Sequence, residues 1–215
     1  SLAALLGGQG RLGEGLTELE TARALWPGDL SLTMPLVEWQ LVNAGPTAAL
    51  ATAEATVDAA PGAVDGWIAL GTAQRALGQF DAALGAFERA TVQVPGSATA
   101  WRLLGEAYLD RGRVEEALDA FRRAAELDHT NPAAHDRLAA LLRTQGRWDE
   151  AAAIYRQAID ADRSQAAGYL GLGSLYRQQG RLDDAARVYE EALAAAPVEV
   201  GVYVAQADLL AAQGD

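Results

Sequence analysis

The chain has 215 residues, half of them hydrophobic, and sets 17 basic residues against 29 acids for a net charge of −12. That balance weighs against nucleic acid or an anionic membrane as partner, since both attract basic surfaces. All the positive residues are arginine and there is no cysteine, so lysine nucleophiles, P-loop lysines, disulfides and thiolate metal sites are excluded.

No apolar run reaches the ~18 residues that a membrane span needs. The opening segment 1–10 is apolar but lacks the basic flank and cleavage site of a signal peptide. The missing cysteine does not fix the compartment. The alanine-rich, arginine-only composition is an association with GC-rich bacterial genomes.

A register of 34 residues runs through the whole chain without insertion or deletion. Units start at Leu30, Val64, Ala98, Pro132, Ala166 and Val200, and a unit cut at its start occupies 1–29. The predicted boundaries are therefore 1–29 (partial), 30–63, 64–97, 98–131, 132–165, 166–199 and 200–215 (partial). Together they form one array, read as a fragment of a longer chain.

In the first partial unit, Leu2, Ala3 and Gly10 open the series, and Gly15, Leu19, Ala22 and Pro27 continue it. The unit from Leu30 is the weakest. It has Thr33 at the aromatic position, Ala53 at the second aromatic position and Gly45-Pro46 in its turn. Its Pro35 falls near a helix start, where proline is tolerated, and Trp39 is expected to fill the seam to the preceding hairpin.

The unit from Val64 sets the pattern. Trp67, Leu70, Gly71 and Gln74 follow i, i+3, i+4, i+7 spacing, one face of a first helix. Gly78 ends it, at the point where a left-handed residue closes a helix most easily. Ala83, Phe87 and Ala90 give the buried face of a second helix, and Pro95 closes the hairpin. Gly71 and Ala83 are expected to let two backbones approach, with the aromatic at position 24 filling the next gap.

The later units repeat this with Trp101, His135, Tyr169 and Tyr203 at position 4 and Gly112, Gly146, Gly180 and Gly214 at position 15. Phe121, Tyr155 and Tyr189 stand at position 24. Their second helices open on Glu115-Glu116, Asp149-Glu150 and Asp183-Asp184, carboxylates that favour the positive end of a helix dipole. Stacking one hairpin on the next buries faces that a single hairpin leaves bare. Each large side chain covered contributes roughly 1.5–3 kcal/mol.

The pattern Trp101-x2-Leu104-Gly105-x2-Tyr108, followed by Gly112, Ala117, Phe121 and Ala124, resembles the tetratricopeptide repeat (TPR). The resemblance covers the whole chain. It implies an all-α fold, a right-handed α-solenoid (superhelix) of antiparallel helix pairs. It further implies an inner groove lined by first helices, with partner-binding residues at positions 2, 5, 9, 12 and 13. On this sequence those positions give Asp65, Thr72, Arg75, Arg102, Glu106, Asp110, Asp136, Arg143, Ser174 and Arg177 as the candidate site. The Lys–Asn carboxylate clamp of chaperone-binding members is absent, and so is the asparagine ladder of the sugar-transferase repeats.

No HExxH, GxSxG or GxxxxGK[ST] motif occurs. His135 holds an aromatic position and reads as a half-buried packing residue. His129 lies in an inter-unit turn and reads as solvated. Gly171-Leu172-Gly173 looks like a nucleotide-loop fragment, yet it falls mid-helix at repeat positions, so packing accounts for it. No catalytic residue, metal or cofactor is expected.

Arg143 and Arg177 share position 12 of adjacent units, and arginine forks suit carboxylates. They are read as an anion-accepting spot for an acidic partner segment. The alternative is that they pair with Asp110 and Asp136 in a solvated network. The function expected is a non-catalytic scaffold that binds a protein or peptide in the groove. A recruiting arm of a larger enzyme and a self-associating array are the alternatives. The last unit stops after one helix, which leaves Tyr203 and Leu210 facing the place of a missing second helix. The expectation is that the native chain continues or that the ends meet another copy.

Overall fold

The computed structural model describes residues 12–26 and 28–213, and every regular element among them is helical. The chain divides into two compact units, residues 1–117 and 118–215. The readings placed on Leu2, Ala3, Gly10, Pro27 and Gly214 lie outside the described residues.

The first unit holds α1 (Leu12–Leu25), a 3-10 turn (Leu30–Leu32), α2 (Thr33–Asn43), α3 (Pro46–Ala59), α4 (Val64–Ala76), α5 (Phe80–Gln93) and α6 (Ala98–Asp110). It ends within α7 (Val114–Leu127), whose remainder opens the second unit. There follow α8 (Pro132–Thr144), α9 (Trp148–Ala161), α10 (Ala166–Gln178), α11 (Leu182–Ala195) and α12 (Val200–Gln213). In each unit neighbouring helices pack in succession, as in an α-solenoid, and each first helix also touches the next first helix.

The turns inside hairpins are fixed by glycine. Gly78 sits at φ 73°, its N–H donates to the Arg75 carbonyl at 3.0 Å, and the Gln79 N–H donates to the Gln74 carbonyl at 2.9 Å. Those two bonds satisfy carbonyls that the helix end would otherwise leave open. Gly112, Gly146 and Gly180 repeat the arrangement. In the weakest unit Ala44 cannot take that conformation cheaply. Gly45, one residue later, turns the chain with a different positive-φ conformation, φ 90° and ψ 163°, and Pro46 starts α3.

The core departs from expectation at one point. Gly71 does not serve mainly to bring two backbones together. A Cβ there would stand 2.7 Å from Cε1 of Phe87, so the missing side chain makes room for the ring on the hairpin's own second helix. Gly173 seats Tyr189 in the same way, and Gly171 seats Tyr155 from the preceding hairpin. The Gly171-Leu172-Gly173 triplet thus receives a tyrosine from each neighbouring second helix.

Trp39 packs over Gly15 and against Leu19 of α1, as the sequence predicts for the seam to the preceding hairpin. The same seam holds a feature with no signal in the repeat. Arg23 of α1 donates to the hydroxyls of Thr33 in α2 and Thr56 in α3, each at 3.0 Å. Both threonines are fully buried. They replace the aromatic and the alanine of the other units, and one guanidinium joins three helices where those units rely on apolar packing.

Position 4 ties three of the hairpins to the turn before them. The indole N–H groups of Trp67 and Trp101 donate to the carbonyls of Pro61 and Pro95 at 2.8 and 2.9 Å. The Tyr203 hydroxyl donates to the Pro197 carbonyl at 2.9 Å. His135 is 2% exposed, more buried than a half-covered packing residue, and its Nδ1 lies 2.9 Å from the carbonyl of Asn131. On α12, Val200, Tyr203, Val204 and Leu210 form one exposed apolar stripe, with Tyr203 50% and Leu210 46% exposed. No helix among the described residues is long and apolar enough to cross a membrane.

Candidate functional site

The candidate residues lie on first helices, and the two units treat them differently. In the first unit, consecutive first helices α4 and α6 place Arg75, Arg102, Glu106 and Asp110 in one network. Arg75 meets Asp110 at 2.5 Å and Glu106 at 2.6 Å, and Arg102 meets the other Glu106 oxygen at 2.7 Å. Glu106 is only 8% exposed, so its charge depends on these two guanidiniums. The Asp110 bond raises the Arg75 pKa further above its ordinary value. Thr72 is satisfied within its own helix, donating to the Ile68 carbonyl at 2.8 Å. Asp65 occupies the first turn of α4.

In the second unit the equivalent arginines lack such partners. Among the described residues, neither the Arg143 guanidinium on α8 nor the Arg177 guanidinium on α10 forms an ion pair or hydrogen bond. Asp110 is taken by Arg75, and Asp136 lies beside Tyr155. Arg143 borders a shallow depression of about 250 Å³ with Asp136, Tyr155, Gly171, Ser174 and Gln178. Arg177 is exposed and lies outside it. Ser174 accepts a hydrogen bond from the Gln178 amide at 3.3 Å.

Asp136 is exposed as a residue, and its carboxyl lines the depression together with Tyr155. Burial there raises its pKa above the ordinary carboxylate value, against the lowering effect of the Tyr155 hydrogen bond. Burial and the nearby Asp136 charge likewise push the Tyr155 hydroxyl up, so it stays protonated and remains a donor. Tyr155 is the residue that sequence reasoning missed. Its position 24 marked it as core, and Phe87, Phe121 and Tyr189 at that position are fully buried, whereas Tyr155 is half-buried.

The acidic residues that open the second helices are paired locally. Arg113, Arg147 and Arg181 each meet the carboxylate three residues on, Glu116, Glu150 and Asp184. Those carboxyls are held below the ordinary range, Glu116 chiefly by its own backbone N–H and the other two by the arginine. Among the described residues no three His, Cys, Asp or Glu side chains gather as metal ligands would.

The chain matches no curated protein. Among solved structures it is similar to a thermophilic TPR protein of Thermus thermophilus, with 23% identity and a TM-score of 0.58, covering 84% of this chain and 98% of that one. It is also similar to a tetratricopeptide repeat protein of Parabacteroides merdae, with 19% identity and a TM-score of 0.60, covering 98% and 84%. A third likeness is to YrrB, described as a TPR protein with an unusual peptide-binding site, with 18% identity and a TM-score of 0.53 over 87% and 97%. These likenesses carry the fold. Residues 12–215 match the family of the cilia and flagella-associated protein 70 C-terminal domain, and with helical hairpins recurring every 34 residues over that span, the chain belongs to this tetratricopeptide-repeat family.

Proposed function

We propose that the chain is a non-catalytic interaction module that holds a peptide or protein segment along its first helices, with the second unit as the contact. The observation that carries this reading is the contrast at position 12. Arg75 is neutralised by Glu106 and Asp110, whereas Arg143 and Arg177 have no carboxylate partner among the described residues. The half-buried Arg143 beside a depression with a serine and a tyrosine–aspartate pair, with the exposed Arg177 on the next first helix, suits an extended segment carrying a carboxylate. Asp65, Thr72, Arg75, Arg102, Glu106 and Asp110 then form the inner wall of the first unit, a region stiffened by its own ion pairs. YrrB, of the same fold, is described as having a peptide-binding site.

The test is capture of partners from the source organism by the intact chain, by Arg143→Ala with Arg177→Ala, and by Arg75→Ala. The double variant is expected to lose the partner that the wild-type chain holds, while Arg75→Ala keeps it. Equal capture by wild type and the double variant refutes the assignment.

A further inference from the structure

The second unit contains a larger cavity that the first-helix reading does not use. It lies between the second helices α9 and α11 of consecutive hairpins, is floored by α10, and measures about 710 Å³, within the range of roughly 300–1,000 Å³ typical of ligand sites. At one end three guanidiniums gather around Tyr176. Arg181 stacks on its ring with 4.3 Å to the centroid, and Arg156 lies 5.9 Å from the same centroid and donates to its hydroxyl. Arg187 joins them through Asp184, which also binds Arg181 at 2.6 Å. Two of these three positive charges share one carboxylate, so this end carries 3 − 1 = +2 in a chain whose total is −12.

The same motif in the first unit is charge-balanced. Tyr108 carries Arg113 over its ring at 4.5 Å, but its hydroxyl faces the carboxylate of Glu88 at 3.4 Å. Glu88 and Arg156 occupy the same position of their repeats. The exchange of glutamate for arginine moves the local charge by two units and leaves Arg156 with a neutral partner only.

Beyond the arginine end the wall is apolar, with Ile159, Leu172 and Val188. Glu191 follows Asp184 along α11 by about 10 Å at 1.5 Å per residue, and Asp160 and Arg163 stand opposite, so the far end carries 1 − 2 = −1. The cavity is polar in the electrical sense, positive at one end and apolar in the middle.

We propose that this cavity between α9 and α11 is a second docking site, which takes an acidic–aliphatic peptide segment. Its carboxylates meet Arg156 and Arg187, and its aliphatic side chains cover the half-buried Ile159 and the exposed Ala194 and Ala195. The acidic remainder of the chain repels such a segment only weakly at a distance, because charges separated by more than about 8 Å are screened at physiological salt. The site is independent of Arg143 and Arg177.

The probe is a fluorescein-labelled octapeptide with two glutamates at one end and two central leucines, titrated into the full chain and followed by polarisation. A control peptide carries glutamine for glutamate. The acidic peptide is expected to bind at least tenfold more tightly than the control and to lose at least tenfold in affinity with Arg156→Glu and Arg187→Glu. Both residues are solvent-exposed, and circular dichroism checks that the variant folds. Tyr176→Phe, which removes the anchor of Arg156, is expected to weaken binding several-fold, and amide shifts are expected to cluster in 156–191. Equal binding of the two peptides, absence of binding, or binding abolished instead by Arg143→Ala with Arg177→Ala overturns the proposal.

Discussion

Replacing Arg23 by methionine removes a guanidinium and keeps most of the apolar stem. Two hydrogen bonds disappear, to Thr33 and to Thr56, each 3.0 Å long. Bonds from a charged donor contribute about 1.5–3 kcal/mol each, and a buried hydroxyl left without its partner costs about 1–3 kcal/mol. Thr56 keeps its bond to the Thr52 carbonyl, so most of the penalty falls on Thr33, and the partial exposure of Arg23 reduces both values. The expected net loss is about 2–3 kcal/mol, located at the junction of α1, α2 and α3. In a quasi-one-dimensional array such a loss stays close to its source. Hydrogen exchange is therefore the assay. Protection in α2 and α3 should fall by about thirtyfold or more, at tenfold per 1.4 kcal/mol, while protection in α10 and α11 stays the same. Adding Thr33→Val and Thr56→Ala removes the stranded hydroxyls and should recover most of the loss, because exchanging both partners for apolar groups is nearly neutral. A single variant that costs less than about 0.5 kcal/mol, or a triple variant no better than the single one, refutes this account of the seam.

Gly173→Ala drives a methyl group into the Tyr189 ring and should cost about 1–3 kcal/mol in urea unfolding. Gly85→Ala, where nothing lies within 4 Å, should instead stabilise α5 by up to about 1 kcal/mol. Trp101→Phe should lose about 0.5–1.5 kcal/mol through the missing bond to the Pro95 carbonyl, measured in the same urea series. The raised pKa of Asp136 means that the native state holds its proton to higher pH than the unfolded chain does. The contribution of this group to stability is full below its unfolded pKa, near 4, and falls as pH rises through the folded value. Asp136→Asn should therefore flatten the pH dependence of the unfolding midpoint just above pH 4.

The repeat register could be read from the chain because it depends on residue types at fixed spacing. The left-handed glycines, the covered aromatics at position 24 and the seam-filling Trp39 all follow from size and conformational freedom, which a sequence carries directly. The roles of long polar side chains do not. Arg23 reaches residues 10 and 33 positions away, and no periodic rule gives its direction. Arg75 and Arg143 share one repeat position, yet only Arg75 meets acids on the next first helix, at positions 9 and 13 of the following unit. Reading that pairing from sequence requires comparing adjacent units position by position instead of summing over them. The arginine cluster around Tyr176 was missed for another reason. Its residues come from positions 11, 16, 22 and 25, away from the first-helix positions that the family pattern singles out.

The proline carbonyls bound by Trp67, Trp101 and Tyr203 have a mechanical consequence. Each bond runs across a joint between hairpins, so pulling the joint open must break it before the packed faces slide. His135 bonds four residues back within its own helix cap and bridges no joint. A chain stretched from its ends should therefore yield at the joints before α8 and α10, where His135 and Tyr169 make no such bond among the described residues, with the tryptophan-latched joints of the first unit holding to higher force.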